Sequence, residues 1–169
     1  FFNMYRLLIK SSFIFLLLSV SFPEEKNYRS QNIEFDLHNG KKINLTDLLD
    51  EGPLVLQFWA TWCAPCKKEM FYLDKIQKKF KNKGVNVLCV NTDKIKSIPK
   101  AKAFIKQKRY DMLVALDPSL SVYRKLSIAL MPTLMIFDKD GNIVFRKEGY
   151  ISGDELEIEK NVEVILSNS

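Results

Sequence analysis

Leu54-Val55-Leu56-Gln57-Phe58-Trp59-Ala60-Thr61-Trp62-Cys63-Ala64-Pro65-Cys66-Lys67-Lys68-Glu69 decides how the rest of the chain is read. An apolar run rich in β-formers stops at a Cys-x-x-Cys, and a helix-type pattern begins at once. The run therefore delivers Cys63 to a strand-to-helix corner. There, unpaired backbone N–H groups and the positive end of the helix dipole favour an anion. A thiolate is such an anion, and only the thiolate attacks a disulfide. Ala64 and Pro65 separate the cysteines, so Cys66 stands one turn along, close enough to close a bridge. Pro65 fits the first helical turn, which needs no N–H there and has the φ that proline imposes. The stretch reads as a redox dithiol, with Cys63 as nucleophile and Cys66 as resolving thiol.

Working outward, Ile33-Glu34-Phe35-Asp36-Leu37 and Ile43-Asn44-Leu45 alternate on either side of His38-Asn39-Gly40-Lys41, which predicts a β-hairpin with an Asn-Gly turn. Thr46 to Asp50 reads as one helical turn, closed by Gly52-Pro53. After the dithiol, Met70, Leu73, Ile76 and Phe80 recur at helical spacing until Gly84. Val85 to Asn91 reads as a strand apolar on nearly both faces. A second helix is predicted over about 100–109, and Leu113-Val114-Ala115-Leu116 as a short strand. Asp117-Pro118 resembles an N-cap with proline at the first helical position, opening a helix through Tyr123 and Leu126. Residues 133–138 and 143–147 flank Lys139-Asp140-Gly141-Asn142, a second hairpin. Ser152-x-x-Glu155 predicts a capping box for a terminal helix. This β-α alternation implies a mixed sheet with helices on both faces.

The 169 residues carry 47% hydrophobic and 12% aromatic side chains, the composition of one ordinary globular domain. A net charge of +6 invites comparison with nucleic-acid binders. However, Lys67, Lys68, Lys75, Lys78, Lys79, Lys81 and Lys83 alternate with acids and apolar residues, as on a solvated helix face, so no nucleic-acid partner is expected. The first residues differ. Arg6 and Lys10 precede a short apolar segment, Ser19-x-Ser21 is a small-x-small cleavage pattern, and Pro23-Glu24-Glu25-Lys26 turns polar. Residues 1–21 thus have the form of a secretory signal peptide, with an N-terminal anchor as the alternative. A membrane partner follows only if that segment is retained. Export would place the dithiol where disulfides persist. Residues 22–32 are polar and read as a flexible linker, and residues 33–169 as the folded domain.

Trp62-Cys63-Ala64-Pro65-Cys66 after an apolar strand resembles the thioredoxin superfamily, and Cys66-Lys67-Lys68-Glu69 resembles its extracytoplasmic TlpA/ResA/DsbE branch. The similarity runs from about Ile33 to about Leu166. It implies an α/β thioredoxin fold with a mixed central sheet flanked by helices, an N-terminal β-hairpin, and a β-α insertion between Cys66 and Pro132. It also implies an extracytoplasmic thiol:disulfide oxidoreductase, in the periplasm or on the outer face of the cytoplasmic membrane. Such proteins reduce protein disulfides for cytochrome c maturation or copper-site assembly, with electrons from a membrane donor of the DsbD/CcdA type.

The resemblance extends to single residues. Gln57 lies six residues before Cys63, where cytosolic thioredoxins carry a buried acid, and a neutral amide there accepts no proton. Glu69, three residues after Cys66 on the same helix face, becomes the acid expected to tune the pair. The plainer reading is a first-turn glutamate complementing the dipole. Leu130-Met131-Pro132-Thr133 matches the family's loop opposite the dithiol, where a cis proline occurs and Met131 would meet an extended substrate peptide. Trp62, Ala64 and Pro65 complete the expected docking surface, while Trp59 either lines the same region or only packs.

Cys89 reads as a small core residue and His38 as an exposed turn residue. Beyond the dithiol these are the only soft ligands for a zinc site, so neither a metal nor a cofactor is expected. Two other functions use the same cysteines. A thiol peroxidase of this fold would carry threonine where Ala60 stands, and a metallochaperone would use the dithiol to hold Cu(I).

Overall fold

The computed structural model describes residues 27–167. The expected signal peptide or anchor, residues 1–21, lies outside them. Five strands form the central sheet in the order β5-β4-β3-β6-β7. The elements are β3 (Leu54–Trp59), β4 (Asn86–Asn91), β5 (Leu113–Leu116), β6 (Thr133–Phe137) and β7 (Ile143–Glu148). β3, β4 and β5 run parallel, while β6 is antiparallel to both β3 and β7. The expected N-terminal hairpin forms from β1 (Glu34–Asp36) and β2 (Lys42–Asn44), and a bridge from Leu37 to Ala115 joins it to the edge of β5. This is the expected thioredoxin fold with a mixed sheet.

β3 is buried along its whole length because both sheet faces are covered. The two-residue period of a strand assigns its side chains to two cores. Val55 and Trp59 face the core shared with α2 (Ala64–Phe80), α3 (Ile98–Lys108) and α5 (Asp154–Ser167). Leu54, Leu56 and Phe58 face the hairpin, α1 (Leu45–Glu51) and α4 (Ser121–Lys125). Gln57, in the Val55/Trp59 register, is therefore a polar side chain on the α2 face. Between α2 and Pro132 the chain forms β4, α3, β5 and α4 in turn.

Three local expectations are corrected. The polar stretch before the hairpin, expected as a flexible linker over 22–32, is fastened to the domain from Asn27 onward. Tyr28 is buried edge-on against Phe137, and its N–H donates to the Gly141 carbonyl at 2.9 Å. The Arg29 guanidinium reaches the Lys139 carbonyl and the Asp50 carboxylate. Gly141 permits this approach, since a Cβ there would lie 2.5 Å from the Arg29 nitrogen.

α4 starts at Ser121, not after Pro118. The Asp117 carboxylate reaches across the intervening turn to the N–H groups of Ser121 (2.8 Å) and Tyr123 (2.9 Å). α5 starts at Asp154, whose carboxylate folds back to accept the Ile151 N–H at 2.9 Å, and the expected Ser152–Glu155 capping box does not form. The Ser152 hydroxyl instead receives the Lys68 ammonium. Glu155 still folds back, but onto the Gly153 N–H and the Tyr150 hydroxyl.

Candidate active site

The site forms where β3 ends and α2 begins. Ala60 to Cys63 makes a turn, closed by the Cys63 N–H donating to the Ala60 carbonyl at 3.0 Å. Cys63 then serves as the N-cap of α2 in extended conformation, and its Sγ accepts the Cys66 N–H at 3.3 Å. Pro65 occupies the first turn, as its missing N–H allows. Cys63 and Cys66 are joined as a disulfide with Cα atoms 5.3 Å apart. Cys63 keeps 4% of its surface exposed and Cys66 none. Ala64 and Pro65 are exposed, and Trp62 is 69% exposed beside Cys63.

Beneath the pair lies a buried polar couple. Gln57 Nε2 donates to Glu69 Oε2 at 2.6 Å and to the Cys66 carbonyl at 3.1 Å. The other oxygens of both side chains, Gln57 Oε1 and Glu69 Oε1, have no hydrogen-bond partner. Burial pushes the Glu69 carboxyl up to about 7 against the opposing Gln57 hydrogen bond, with Asp154 adding to the rise and Lys147 reducing it. Glu69 is only 1% exposed, so it is no dipole-complementing surface residue.

The loop before β6 completes the site. The Met131–Pro132 peptide bond is cis, Pro132 is buried, and the Pro132 carbonyl accepts the Gly149 N–H at 2.7 Å. The Met131 Sδ lies 3.2 Å from the Thr92 hydroxyl. Trp62, Thr92, Lys94, Leu120, Tyr123 and Met131 line an open groove of about 350 Å³. Trp62 and Met131 each adjoin a residue of the site in the chain, Cys63 and Pro132.

Trp59 is wholly buried against Phe104, ring centres 5.4 Å apart, so it packs and does not line the groove. Cys89 is buried 3.5 Å from the Met112 sulfur, and burial holds its thiol well above the ordinary range. His38 is half-buried, not exposed, because its N–H pairs with the Val114 carbonyl where the hairpin meets β5. Among the described residues no group of three or more His, Cys, Asp or Glu side chains is placed to hold a metal ion.

Two features escaped the sequence reading. Lys67, taken as part of a solvated face, donates to the Thr61 carbonyl at 2.9 Å. Asp93, two residues beyond β4, is buried and bonded to Thr61. The available signal was the polar Asn91-Thr92-Asp93 run at the carboxyl end of a buried parallel strand, where α/β folds gather functional groups.

A family model described as Redoxin matches residues 25–165. The chain is 37% identical over 118 residues to a thiol-disulfide oxidoreductase ResA of Bacillus cereus, which covers 70% of this chain and 66% of that protein. It thus spans slightly less than two thirds of that relative's length. A Chlorobium tepidum structure, described as a candidate thiol:disulfide interchange protein DsbE, superposes with a TM-score of 0.75 at 27% identity, covering 83% of this chain and 97% of that one. The exposed lipoprotein thioredoxin of Streptococcus pneumoniae gives a TM-score of 0.64, also at 27% identity, covering 77% and 98%. These matches bear out the resemblance to the TlpA/ResA/DsbE branch drawn from the Cys66-Lys67-Lys68-Glu69 stretch. With a strand-borne Cys-x-x-Cys at a helix start, a cis proline opposite, and a family match over most of its length, the chain belongs to the redoxin family.

Proposed function

We propose that this chain is an exported thiol:disulfide oxidoreductase that reduces disulfides in protein substrates through Cys63 and Cys66. The observation that carries the proposal is the asymmetry of the pair. Cys63 caps α2 and keeps 4% of its surface exposed, while Cys66 is wholly buried with its carbonyl bonded to Gln57. The dipole end of a 17-residue helix and the Cys66 N–H both favour an anion at Cys63 Sγ once the pair is reduced.

In the reaction, the Cys63 thiolate attacks one sulfur of the substrate disulfide and displaces the other as a thiolate. Cys66 then loses its proton and attacks Cys63 Sγ, re-forming the Cys63–Cys66 bond and releasing the second substrate sulfur. Two electrons leave the dithiol and two enter the substrate. Glu69, its carboxyl raised to about 7, is suited to take the proton that Cys66 loses, and Gln57 Nε2 bridges that carboxyl and the Cys66 carbonyl. Trp62, Ala64, Pro65, Met131 and Pro132 form the surface on which an extended substrate peptide docks.

A dithiol donor must recharge the pair, and a membrane donor of the DsbD/CcdA type fits a protein outside the cytoplasm. Substrates awaiting cytochrome c maturation or copper-site assembly are the clients this branch suggests. No described helix is long and apolar enough to cross a membrane.

The test is a redox titration of Cys63–Cys66 with a screen that traps mixed disulfides on a Cys66→Ser variant. Potentials span from about −120 mV for strong oxidants to about −270 mV for a reducing thioredoxin. A value at the reducing end, with substrate proteins captured on Cys63, supports the proposal, and a value near the oxidising end refutes it. Catalytic peroxide destruction by Cys66→Ser would identify a peroxidase instead. Stoichiometric Cu(I) binding without disulfide reduction would identify a metallochaperone.

A further inference from the structure

Asp93 is a buried carboxylate that the chemistry above leaves idle. It is 3% exposed, and no ion pair reaches it among the described residues. Burying a carboxylate without a countercharge is costly unless its oxygens are hydrogen-bonded, and here the bonds are unusually concentrated. Oδ2 accepts the Thr61 N–H at 2.9 Å and the Asn91 side-chain amide at 2.8 Å, and Oδ1 accepts the Thr61 hydroxyl at 3.1 Å. The remaining polar group of Thr61, its carbonyl, receives the Lys67 ammonium at 2.9 Å. Every polar atom of Thr61 is therefore held, by Asp93 from just beyond β4 and by Lys67 from α2.

Thr61 is a central residue of the turn that ends at Cys63. The same segment reaches the other side of the site. The Thr92 N–H donates to the Trp59 carbonyl at 2.9 Å, and the Thr92 hydroxyl lies 3.2 Å from both that carbonyl and the Met131 sulfur. The end of β4 thus touches the nucleophile's turn with one residue and the loop before Pro132 with the next.

We propose that Asn91-Thr92-Asp93 is a positioning bracket. Asp93 fixes the Thr61 turn so that Cys63 Sγ stays on the helix end and Trp62 stays outward, and Thr92 sets Met131 across the groove from Trp62. This rests on the oxidoreductase reading for its catalytic consequence, but not for its geometry. Asp93 and Thr92 are positioning residues that touch no reacting atom.

The cleanest perturbation is Thr61→Val, which removes one arm of the clamp without altering charge, with Thr61→Ser as the conservative partner. In a Cys66→Ser background, the pH dependence of Cys63 alkylation by iodoacetamide reports how well the sulfur is held at the helix end. Thr61→Val is expected to raise the alkylation midpoint by about half a pH unit or more, a threefold or greater loss of thiolate at a fixed pH below it. With Cys66 restored, it is expected to lower kcat/KM for a peptide disulfide about fivefold. Thr61→Ser returns both to within about twofold. Asp93→Asn lowers kcat/KM similarly, and the double variant Asp93→Asn/Thr61→Val falls no further than the worse single change by more than about twofold, because both remove one contact. Thr92→Val raises KM for the peptide and leaves the alkylation midpoint in place.

A Thr61→Val chain that melts earlier but keeps the parent's alkylation midpoint and peptide kinetics would overturn the proposal, leaving Asp93 a purely structural group. Should Asp93→Asn fail to fold, the threonine pair still decides. Should the parent reduce no disulfide while Thr61→Val still shifts the midpoint, the oxidoreductase reading fails and the bracket stands.

Discussion

Glu69→Gln gives the sharpest test of the buried couple under the dithiol. Burial raises the Glu69 carboxyl from its ordinary 4.5 to about 7. Between those values the folded chain holds a proton that the unfolded chain has released, so stability falls as pH rises through that window and stays lower above it. At about 1.4 kcal/mol per pH unit, the accumulated loss is about 3 kcal/mol by pH 8. A glutamine at position 69 cannot ionise and removes the loss. Its oxygen can still accept from Gln57 Nε2, and its amide can donate towards Gln57 Oε1, which now has no partner.

Denaturant titrations of the oxidised chain at pH 4.5, 6 and 8 would measure this. The parent should lose about 3 kcal/mol relative to Glu69→Gln between the extremes. In the reduced state the variant, unable to take a proton from Cys66 as proposed, should slow release of the mixed disulfide. A parent and variant whose stabilities run parallel from pH 4.5 to pH 8 would refute the reasoning, as would a variant less stable than the parent at pH 8.

Other changes are equally direct. Cys63→Ser should abolish disulfide reduction, whereas Cys66→Ser should accumulate one substrate per chain as a mixed disulfide, seen by mass spectrometry without reductant. Trp62→Ala should leave stability within about 0.5 kcal/mol, since the side chain is mostly exposed, while raising KM for a peptide disulfide severalfold in a reductase assay. Gly52→Ala should cost about 2 kcal/mol or more in a denaturant titration. Its φ of 146° suits glycine, and a Cβ there would sit 2.4 Å from the Gly84 carbonyl oxygen.

Much of this was legible in the residues because the signals were local. Alternation around Asn39-Gly40, the both-face apolar run of β4, and the 3.6-residue spacing of Met70, Leu73, Ile76 and Phe80 all report on nearest neighbours, and each formed as expected. Cys63, Cys66 and Glu69 could be singled out because two sit in a short motif and the third lies one turn along the same face. What remained hidden depends on distant partners. Asp117 caps a helix that starts four residues on only because a turn folds back over it. Ser152 does not cap α5, because its hydroxyl meets Lys68, 84 residues away in sequence. Nothing in Asn27 to Asn32 announces that Tyr28 has a slot beside Phe137. Asp93 looks like any polar residue closing a strand until Thr61, 32 residues earlier, is brought beside it.

The seat of Tyr28 gives the molecule a polarity. β3 runs towards the dithiol, and β6 starts beside Pro132 and runs away from it, so the Asp138–Asn142 turn that grips Tyr28 lies at the opposite pole. Six residues of strand separate the poles by about 20 Å. Asn27, the first described residue, sits at that rear pole with its side-chain amide on the Asp140 carbonyl. A leash to a bilayer would therefore aim the sulfurs outward, handy for soluble clients. A donor rooted in the same bilayer would have to lift its own cysteines about that far, or wait for the domain to swivel.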